Sequence, residues 1–436
     1  MIVIIGAGIS GLTLAYELQK ANKSYILLES SSRPGGYIRS EQSNDYLIEV
    51  GPNSILIDDA FDQFISELGL KDDVEDAAAV NKHRFVYKNG QIKQLPSGPA
   101  SLLFSNFFSF KTKKVIFREF GNKSRTTENE SVYDFFVRHF SEELTTYTID
   151  PFATGIYAGD IKQLLIEDTF PQLVALEKEY GSILKGVFKK GMGTRRRTAT
   201  FTDGLQTLTD TLASKLQSIS FQTKALSVSK TDAGVEVSIQ KDGAGAEKIQ
   251  ADKVVFCSTA FHAAEVLTSS FPEIAAKLNG VRYAPIKALY AAFKRSDVKH
   301  HMRGFGCLYP SSEKSFLAGT IWNSSIFKYR CPEDEILTTS FIGGMHRPEY
   351  TELSDNEIQL YAIEQLKEDL GITEEPTFIH VAGWKKAIPQ YDIFLKEARK
   401  SINGLQEEHI YFSSNWTHAI SLGSCIQNAR NLALKL

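Results

Sequence analysis

An apolar run, Ile2-Val3-Ile4-Ile5, that breaks at once into Gly6-Ala7-Gly8-Ile9-Ser10-Gly11 constrains this chain more than any other stretch. A helical pattern follows to Lys20, and a second apolar run, Tyr25-Ile26-Leu27-Leu28, ends at Glu29. Strand, glycine turn, helix, strand and acid in this order predict a βαβ unit that holds a dinucleotide. Gly6 permits the tight turn, Gly8 lets the backbone approach a pyrophosphate, and Gly11 lets the helix lie against the sheet. The amides at the helix start, Ile9 and Ser10 among them, then meet the phosphates. Glu29 stands where its carboxylate can accept a bond from an adenosine ribose hydroxyl. The plain alternative is a βαβ unit without a ligand.

Arg33-Pro34-Gly35-Gly36 adds a second glycine turn shortly after the acid, where bare backbone can track an extended dinucleotide. The run from Glu29 through Gly36 resembles the FAD-binding start of the amine oxidase and protoporphyrinogen oxidase superfamily. FAD is therefore favoured over NAD, bound noncovalently because no cysteine or histidine sits in a recognisable attachment motif.

At 436 residues the chain exceeds what one hydrophobic core supports, so two or three lobes are expected. A hydrophobic content of 42% with 23% charged residues belongs to a folded globular protein. The net charge of -3 argues against a nucleic-acid partner, which needs a basic face. Cys257, Cys307, Cys331 and Cys425 lie far apart, so neither a zinc site nor a disulfide framework is expected, and a reducing compartment fits. No apolar run reaches the roughly 18 residues that span a bilayer, and the N-terminal run reads as a buried strand, not a signal peptide.

Along the chain, Asp58 or Asp59 opens a helix with a stripe of Phe61, Phe64, Ile65 and Leu68, ended by Gly69. Asn89-Gly90 turns a hairpin that begins at Arg84. From Leu95 to Tyr180 the pattern is helical and rich in phenylalanine, with Phe107 and Phe108 beside Lys111, Lys113 and Lys114. That composition suits a surface lying on lipid headgroups, with Phe107 and Phe108 as its anchors, and equally an ordinary helical core; both readings stay open. Phe221 to Val228, Val235 to Ile239 and Val254 to Cys257 read as strands returning to the cofactor layer, and Arg282 to Gly344 as a sheet covering substrate. Ser354 and Glu357 open a helix ended by Gly371, and Ser421 opens the last one. His300 and His301 read as solvated, Cys257 and Cys425 as packing residues, and Arg195-Arg196-Arg197 as a solvated basic run with a minor chance of reaching substrate carboxylates.

Asp150-Pro151-Phe152-Ala153-Thr154-Gly155-Ile156-Tyr157-Ala158-Gly159-Asp160, together with Arg84-Phe85-Val86-Tyr87, resembles the protoporphyrinogen oxidase family. Phe201-Thr202-Asp203-Gly204-Leu205-Gln206, Gly304 to Ser312, Trp384, Ile388-Pro389-Gln390-Tyr391 and Cys425 continue the resemblance in order over nearly the whole chain. It implies an α/β and α+β architecture. A discontinuous Rossmann-like FAD-binding domain covers 1–75, 200–268 and 378–436. A substrate-binding domain with a mixed sheet covers 76–94, 185–199 and 269–377, and a helical, membrane-associating lobe covers 95–184.

The resemblance further implies an FAD-dependent oxidoreductase of haem biosynthesis that removes six electrons from protoporphyrinogen IX in three rounds. Flavin N5 takes each hydride, oxygen reoxidises the flavin, and no protein residue is assigned as catalytic. It maps Arg84 to a propionate, Gly155 to the reacting edge, and Phe305, Leu308 and Phe341 to the pocket walls. To the cofactor it maps Gly6, Gly8, Ile9, Ser10, Gly11, Glu29, Arg33, Gly35, Gly36, Arg39, Gly51, Pro52, Asn53, Ala225, Trp384, Ile420, Ser421 and Leu422. Partners expected are the porphyrinogen, molecular oxygen, a membrane surface and a second copy in a homodimer, in the cytoplasm or on the cytoplasmic face of a membrane. Departures from the family pattern fall at Asp203, Phe394, Leu395, Ser414 and Ala419. Because Arg84 is the one cation assigned and the walls are apolar, two carboxylates suit the pocket better than the four of coproporphyrinogen. Coproporphyrinogen III oxidation, an amine or carotenoid oxidase, and a flavin-free binding protein on the same fold are the alternatives.

Overall fold

The computed structural model describes residues 1–191, 196–232 and 234–436, apart from the side chains of 99, 100 and 103. Ile2–Ile5 is buried throughout, as a non-alternating apolar run requires, and is the central strand of a five-stranded parallel sheet. Tyr25–Leu28 and Lys253–Phe256 flank it, with Ile219–Ser220 and Ile410–Phe412 at the edges. Helices Ile9–Lys20 and Leu422–Ala433 pack together, and their apolar stripes meet the sheet through Leu12, Leu14, Ile4 and Cys425. The helix Asp59–Leu68 forms as expected, capped by Asp58 accepting from Phe61 N at 3.1 Å and closed by Gly69 at φ 80°.

The strands between 223 and 251 depart from expectation. Thr223–Thr231, Gly234–Lys241 and Ala246–Ala251 form their own antiparallel sheet, and only Lys253–Phe256 returns to the parallel one. The physical reason is alternation: Val235, Val237 and Ile239 are buried while Glu236 and Ser238 between them are not, a one-sided pattern that an antiparallel sheet suits.

A seven-stranded mixed sheet runs in the order Phe378–Pro389, Tyr283–Lys294, Glu335–Gly343, Gly319–Ile321, Gly306–Leu308, Phe85–Tyr87, Ile92–Gln94. Its outer face is covered by the helix Asp355–Leu370, opened by a Ser354/Glu357 capping box. Its inner face packs on Ile48 and Val50, next to the glycine turns. Phe378–Pro389, expected within the cofactor region 378–436, pairs instead with Tyr283–Lys294 over nearly its whole length. Arg197–Phe201 pairs with Ile55–Ile57 and Val74–Asp76, so residues 197–199 sit with the N-terminal region, not in the substrate part 185–199. The helix Ile183–Lys190 packs on Pro171–Tyr180 of the helical lobe.

In that lobe Phe107 and Phe108 are 4% and 6% exposed and pack on Val86, which corrects their expected place as lipid anchors. The strand residue Val86 offers them a dry partner that lipid would otherwise have to provide. Among the described residues no helix is long and apolar enough to cross a membrane.

Candidate functional site

The carboxyl ends of the parallel strands meet at one edge, where open α/β sheets bind ligands. Gly6 follows Ile5 at φ 103°, a left-handed conformation that favours glycine. A Cβ on Gly11 would sit 2.0 Å from Gly6 O, so only hydrogen fits where helix meets turn. A Cβ on Gly8 would meet nothing within 4 Å, and no side chain caps the helix that starts at Ile9 and continues through Ser10. The second glycine turn abuts the first: Gly8 and Gly35 form a parallel bridge, Gly35 N donates to Ala7 O at 2.8 Å, and a Cβ on Gly36 would lie 3.5 Å from Gly8 Cα.

Glu29 is held beside this cradle by Ala7 N and Ser31 N, each donating to its carboxylate at 2.8 Å. Thr223 N donates to Glu29 O at 2.8 Å, which brings in the strand where buried Ala225 stands just before a bulge. Open space before Gly8, an uncapped helix start and a pinned carboxylate at the neighbouring strand end fit the pyrophosphate and ribose of a dinucleotide.

The arginines of the stretch do other work. Arg33 folds back on its own turn, donating to Pro34 O and Ile38 O at 3.1 Å and to Gly36 O at 2.9 Å, and so braces the glycines. Arg39 is half-exposed and pairs with Glu41 at 2.8 Å. A Cβ on Gly51 would lie 2.0 Å from Tyr37 O, so Gly51-Pro52 can pass close to the turn. Asn53 is buried and accepts from Asn323 Nδ2 at 2.9 Å, and Asn323 accepts from Thr339 Oγ1 at 2.8 Å, linking the N-terminal region to the large sheet. Ser421 Oγ caps the last helix by accepting from Ser424 N at 3.2 Å, with Ile420 and Leu422 partly buried on either side. Trp384 is partly buried on the inner face of the large sheet, beside Phe341.

Glu49, just before Gly51, is a buried carboxyl pushed up to about 7 by burial, although Ser40 Oγ and Leu205 N donate to it.

On that inner face Leu308, Gly319 and Phe341 stand in one register row across three strands. The helix Asp150–Tyr157 faces them: a Cβ on Gly155 would lie 3.2 Å from Leu308 Cδ2. A π-helical turn, Thr145–Ile149, leads into this helix. Its end is fixed by two bonds, Gln390 Nε2 to Tyr157 O at 2.8 Å and Met345 N to Ala158 O at 2.7 Å. The guanidinium of Arg84 stacks 4.2 Å from the Phe305 ring centre, donates to Asn81 O, and makes no ion pair among the described residues. Burial lowers its pKa from the ordinary arginine value. Arg84, Gly155, Phe305, Leu308 and Phe341 thus share one region, apolar in its walls with a cation that makes no ion pair among the described residues.

Other expectations resolve differently. Arg195 lies outside the described residues, while Arg196 faces Asp58 at 3.8 Å and Arg197 pairs with Asp62 and Asp76, so protein carboxylates occupy both. His300 is not solvated: it is half-buried between the rings of Phe85 and Trp322, and burial lowers its pKa. Cys257 and Cys425 are buried beside the glycine turn, where burial raises both thiols, Cys425 to about 11. At the departures Phe394 and Leu395, both amides donate to Asp392, which caps a helix there, and Phe394 lies under Arg282.

Sequence reasoning missed a buried lysine, Lys88, whose Nζ donates to Phe107 O at 2.7 Å and Glu143 at 2.8 Å. It also missed the pair His346 and Asp150 at 3.2 Å beside Thr154. Strand alternation places Lys88 on the face of Val86, which was a usable signal; nothing local announces His346.

The family of flavin-containing amine oxidoreductases matches the chain over residues 9–434. A mitochondrial protoporphyrinogen oxidase of Nicotiana tabacum is 28% identical over 99% of this chain and 94% of its own length. A coproporphyrinogen III oxidase of Bacillus subtilis (strain 168) is 27% identical over 98% of this chain and 96% of its own. A crystal structure from Exiguobacterium sp. 255-15, provisionally named protoporphyrinogen oxidase, superposes with a TM-score of 0.81 at 21% identity, covering 100% of this chain and 98% of that one.

Proposed function

The chain belongs to the flavin-containing amine oxidoreductase family, and from that premise we propose that it is the FAD-dependent enzyme that oxidises a porphyrinogen to the porphyrin in haem biosynthesis. The observation that carries this reading is Arg84, without a carboxylate partner among the described residues, just before the strand next to the apolar row Leu308, Gly319 and Phe341, whose Leu308 faces the bare backbone of Gly155. A porphyrinogen is a broad apolar macrocycle with carboxylate tails, and such a pocket needs dry walls with a cation at the rim.

When bound, the flavin supplies the two-electron acceptor that the side chains lack. The chain supplies position. Gly8 and Gly36 leave backbone room for the pyrophosphate, and Glu29 receives a ribose hydroxyl. Leu308 and Phe341 exclude water from one face of the substrate, Arg84 holds a carboxylate, and Gly155 lets the macrocycle approach without a side chain between. Relatives bearing both substrate names support the class of porphyrinogen.

Molecular oxygen is the acceptor we propose for reoxidation, on the family resemblance. We also propose peripheral attachment at the cytoplasmic face of an anionic membrane. Phe104, Phe110, Phe117 and Phe188 support this, as exposed side chains of the helical lobe near Lys111, Lys114 and Lys189.

The test is anaerobic mixing of the yellow holoprotein with protoporphyrinogen or coproporphyrinogen while following the visible flavin absorbance. Bleaching within the mixing series by at least one of them is expected; an absorbance that neither changes sinks the reading.

A further inference from the structure

A small cavity lies beyond the end of the Leu308 and Phe341 row, lined by Thr154, Pro310, Ser311, Gly343, His346 and Arg347 together with Tyr309, Phe316 and Leu317 of the outer-face core. Thr154 is the chain neighbour of Gly155, and Pro310 and Gly343 stand two residues beyond Leu308 and Phe341 on their own segments. Arg84 lies the other way: Val86 pairs with Leu308 on a parallel strand, so Arg84 stands two residues before that row. Four residues of extended chain separate the two levels, about 13 Å. That is of the order of the breadth of a tetrapyrrole ring.

Three polar groups meet at this cavity. Thr154 Oγ1 is buried and has no hydrogen-bond partner among the described residues. His346 Nε2 lies 3.2 Å from the Asp150 carboxylate, whose other oxygen accepts from Ser311 N at 2.8 Å. Burial disfavours the charged imidazole, yet Asp150 holds its pKa above the usual histidine value. Asp160, the further acid in range, turns its carboxylate to Lys162 N at 2.9 Å and Gln163 Nε2 at 3.1 Å. Asp150 thus faces His346 and Ser311, although His346 Nε2 and Asp150 Oδ1 do not reach hydrogen-bond geometry, and Arg347, 5.9 Å from the Tyr350 ring centre, makes no ion pair among the described residues. A guanidinium without an ion-pair partner among the described residues thus stands beside the Thr154 hydroxyl.

We propose that this cavity is a second carboxylate subsite, at the edge of the pocket opposite Arg84, in which Arg347 supplies the charge and Thr154 a hydroxyl donor. The proposal rests on the porphyrinogen reading and refines it. Protoporphyrinogen carries its two propionates on neighbouring rings and fills one end, leaving the other cation unpaired in a half-buried site. Coproporphyrinogen carries one on every ring and reaches both ends. With two cations on opposite edges, the argument from Arg84 alone shifts toward the tetracarboxylate.

Binding of the stable products tests this without turnover. Coproporphyrin III and protoporphyrin IX are titrated into the holoprotein and followed by porphyrin fluorescence, with the visible flavin spectrum as the check that each variant is folded. The native protein is expected to hold coproporphyrin at least about tenfold more tightly than protoporphyrin. Arg347→Ala should weaken coproporphyrin about tenfold or more and protoporphyrin less than about twofold, with Arg347→Lys recovering part and Thr154→Val losing a smaller part. If Arg347→Ala and Thr154→Val leave coproporphyrin binding unchanged while Arg84→Ala weakens both porphyrins, the subsite is wrong and the porphyrinogen reading stands. If the native holoprotein binds neither porphyrin, that reading falls and takes the subsite with it.

Discussion

Gly8 is the residue at which backbone and ligand are separable. Because a Cβ there meets no protein atom within 4 Å, valine can be added without disturbing the fold, yet its side chain projects toward the pyrophosphate path. Gly8→Val is therefore expected to purify folded, with an unchanged far-ultraviolet circular dichroism spectrum, and colourless; a fully yellow variant overturns the cofactor site. Gly11→Val differs, since its Cβ would strike Gly6 O, and it should lose the fold along with the flavin.

Arg84→Ala removes a charge-assisted contact worth about 1.5–3 kcal/mol, which should appear as a raised KM with kcat nearly intact if the arginine only anchors. Steady-state kinetics decide, and a fall confined to kcat would contradict anchoring. At this scale the glycines were legible in sequence because a backbone demand leaves one residue type that satisfies it. Arg33 and Arg39 were not, because a flexible cation takes whichever partner is local, here carbonyls of its own turn and Glu41. His346 and Thr154 meet through segments far apart in the chain, which no local pattern can foretell.

Among the elements, the helical lobe is knit by buried charge as well as by apolar stripes. His139 lies with Nδ1 2.9 Å from Glu119 and Nε2 2.9 Å from Glu177, both carboxylates being fully buried. Arg138 adds contacts to Glu177 at 2.6 Å and Glu130 at 2.8 Å, and the amides of Ile183 and Leu184 donate to Glu119. One cluster thus ties the helix Val132–His139 to Pro171–Tyr180 and to the start of Ile183–Lys190. Burial alone would raise these acids, but the hydrogen bonds from His139, Ser182, Thr126 and Arg138 hold Glu119 and Glu177 below the ordinary value. Glu143 is lowered to about 2, against burial, by Lys88, Ser109 and Thr112.

Carboxylates depressed in the fold contribute stability above their unfolded pKa and lose it as pH falls toward the folded one. Acidification from about pH 5 to pH 3 should therefore loosen residues 109–190 first. Glu49, raised to about 7, acts oppositely: its contribution is full below the unfolded carboxylate value and fades as pH rises toward 7. Hydrogen exchange corrected for intrinsic rates should show protection falling in the lobe while Ile2–Ile5 and Lys253–Phe256 hold. Equal loss in both, or Glu143→Gln leaving the lobe's acid response unchanged, counts against this account. The caps at Asp58, Ser131 and Ser354 were readable because capping is local; the His139 cluster was not, since its three acids come from separate elements.

For the whole molecule, the chain crosses repeatedly between the parallel sheet and the seven-stranded sheet, and the hairpin of Ser40–Ser43 and Tyr46–Glu49 beside the glycine turns is tied to the large sheet by the buried bond from Tyr290 OH to Glu49 O at 2.8 Å. The helical lobe carries the exposed phenylalanines on which the proposed membrane attachment rests. Phe104, Phe110 and Phe188 are 88%, 83% and 85% exposed, with Phe117 also open to solvent. None is buried, whereas Phe135 and Phe136 pack in the lobe's core and Phe107 and Phe108 pack on Val86. Large apolar groups left outside the core are a feature a water-facing surface does not require.

Each phenylalanine transferred into lipid contributes roughly 1.5–3 kcal/mol, and lysines nearby add attraction to anionic headgroups that salt weakens. The native protein should therefore co-sediment with vesicles containing phosphatidylglycerol, less so at high salt. Phe104, Phe110 and Phe188 changed together to serine should release it at least about a hundredfold, because the three transfer terms act in one binding event. Phe107→Ser is the informative control. It opens a buried site packed on Val86 and Lys88, so it should lower the melting temperature and leave vesicle binding of the folded fraction intact. Vesicle binding that survives the triple change, or is absent in the native protein, removes the membrane from this account and leaves the exposed phenylalanines without an assigned partner.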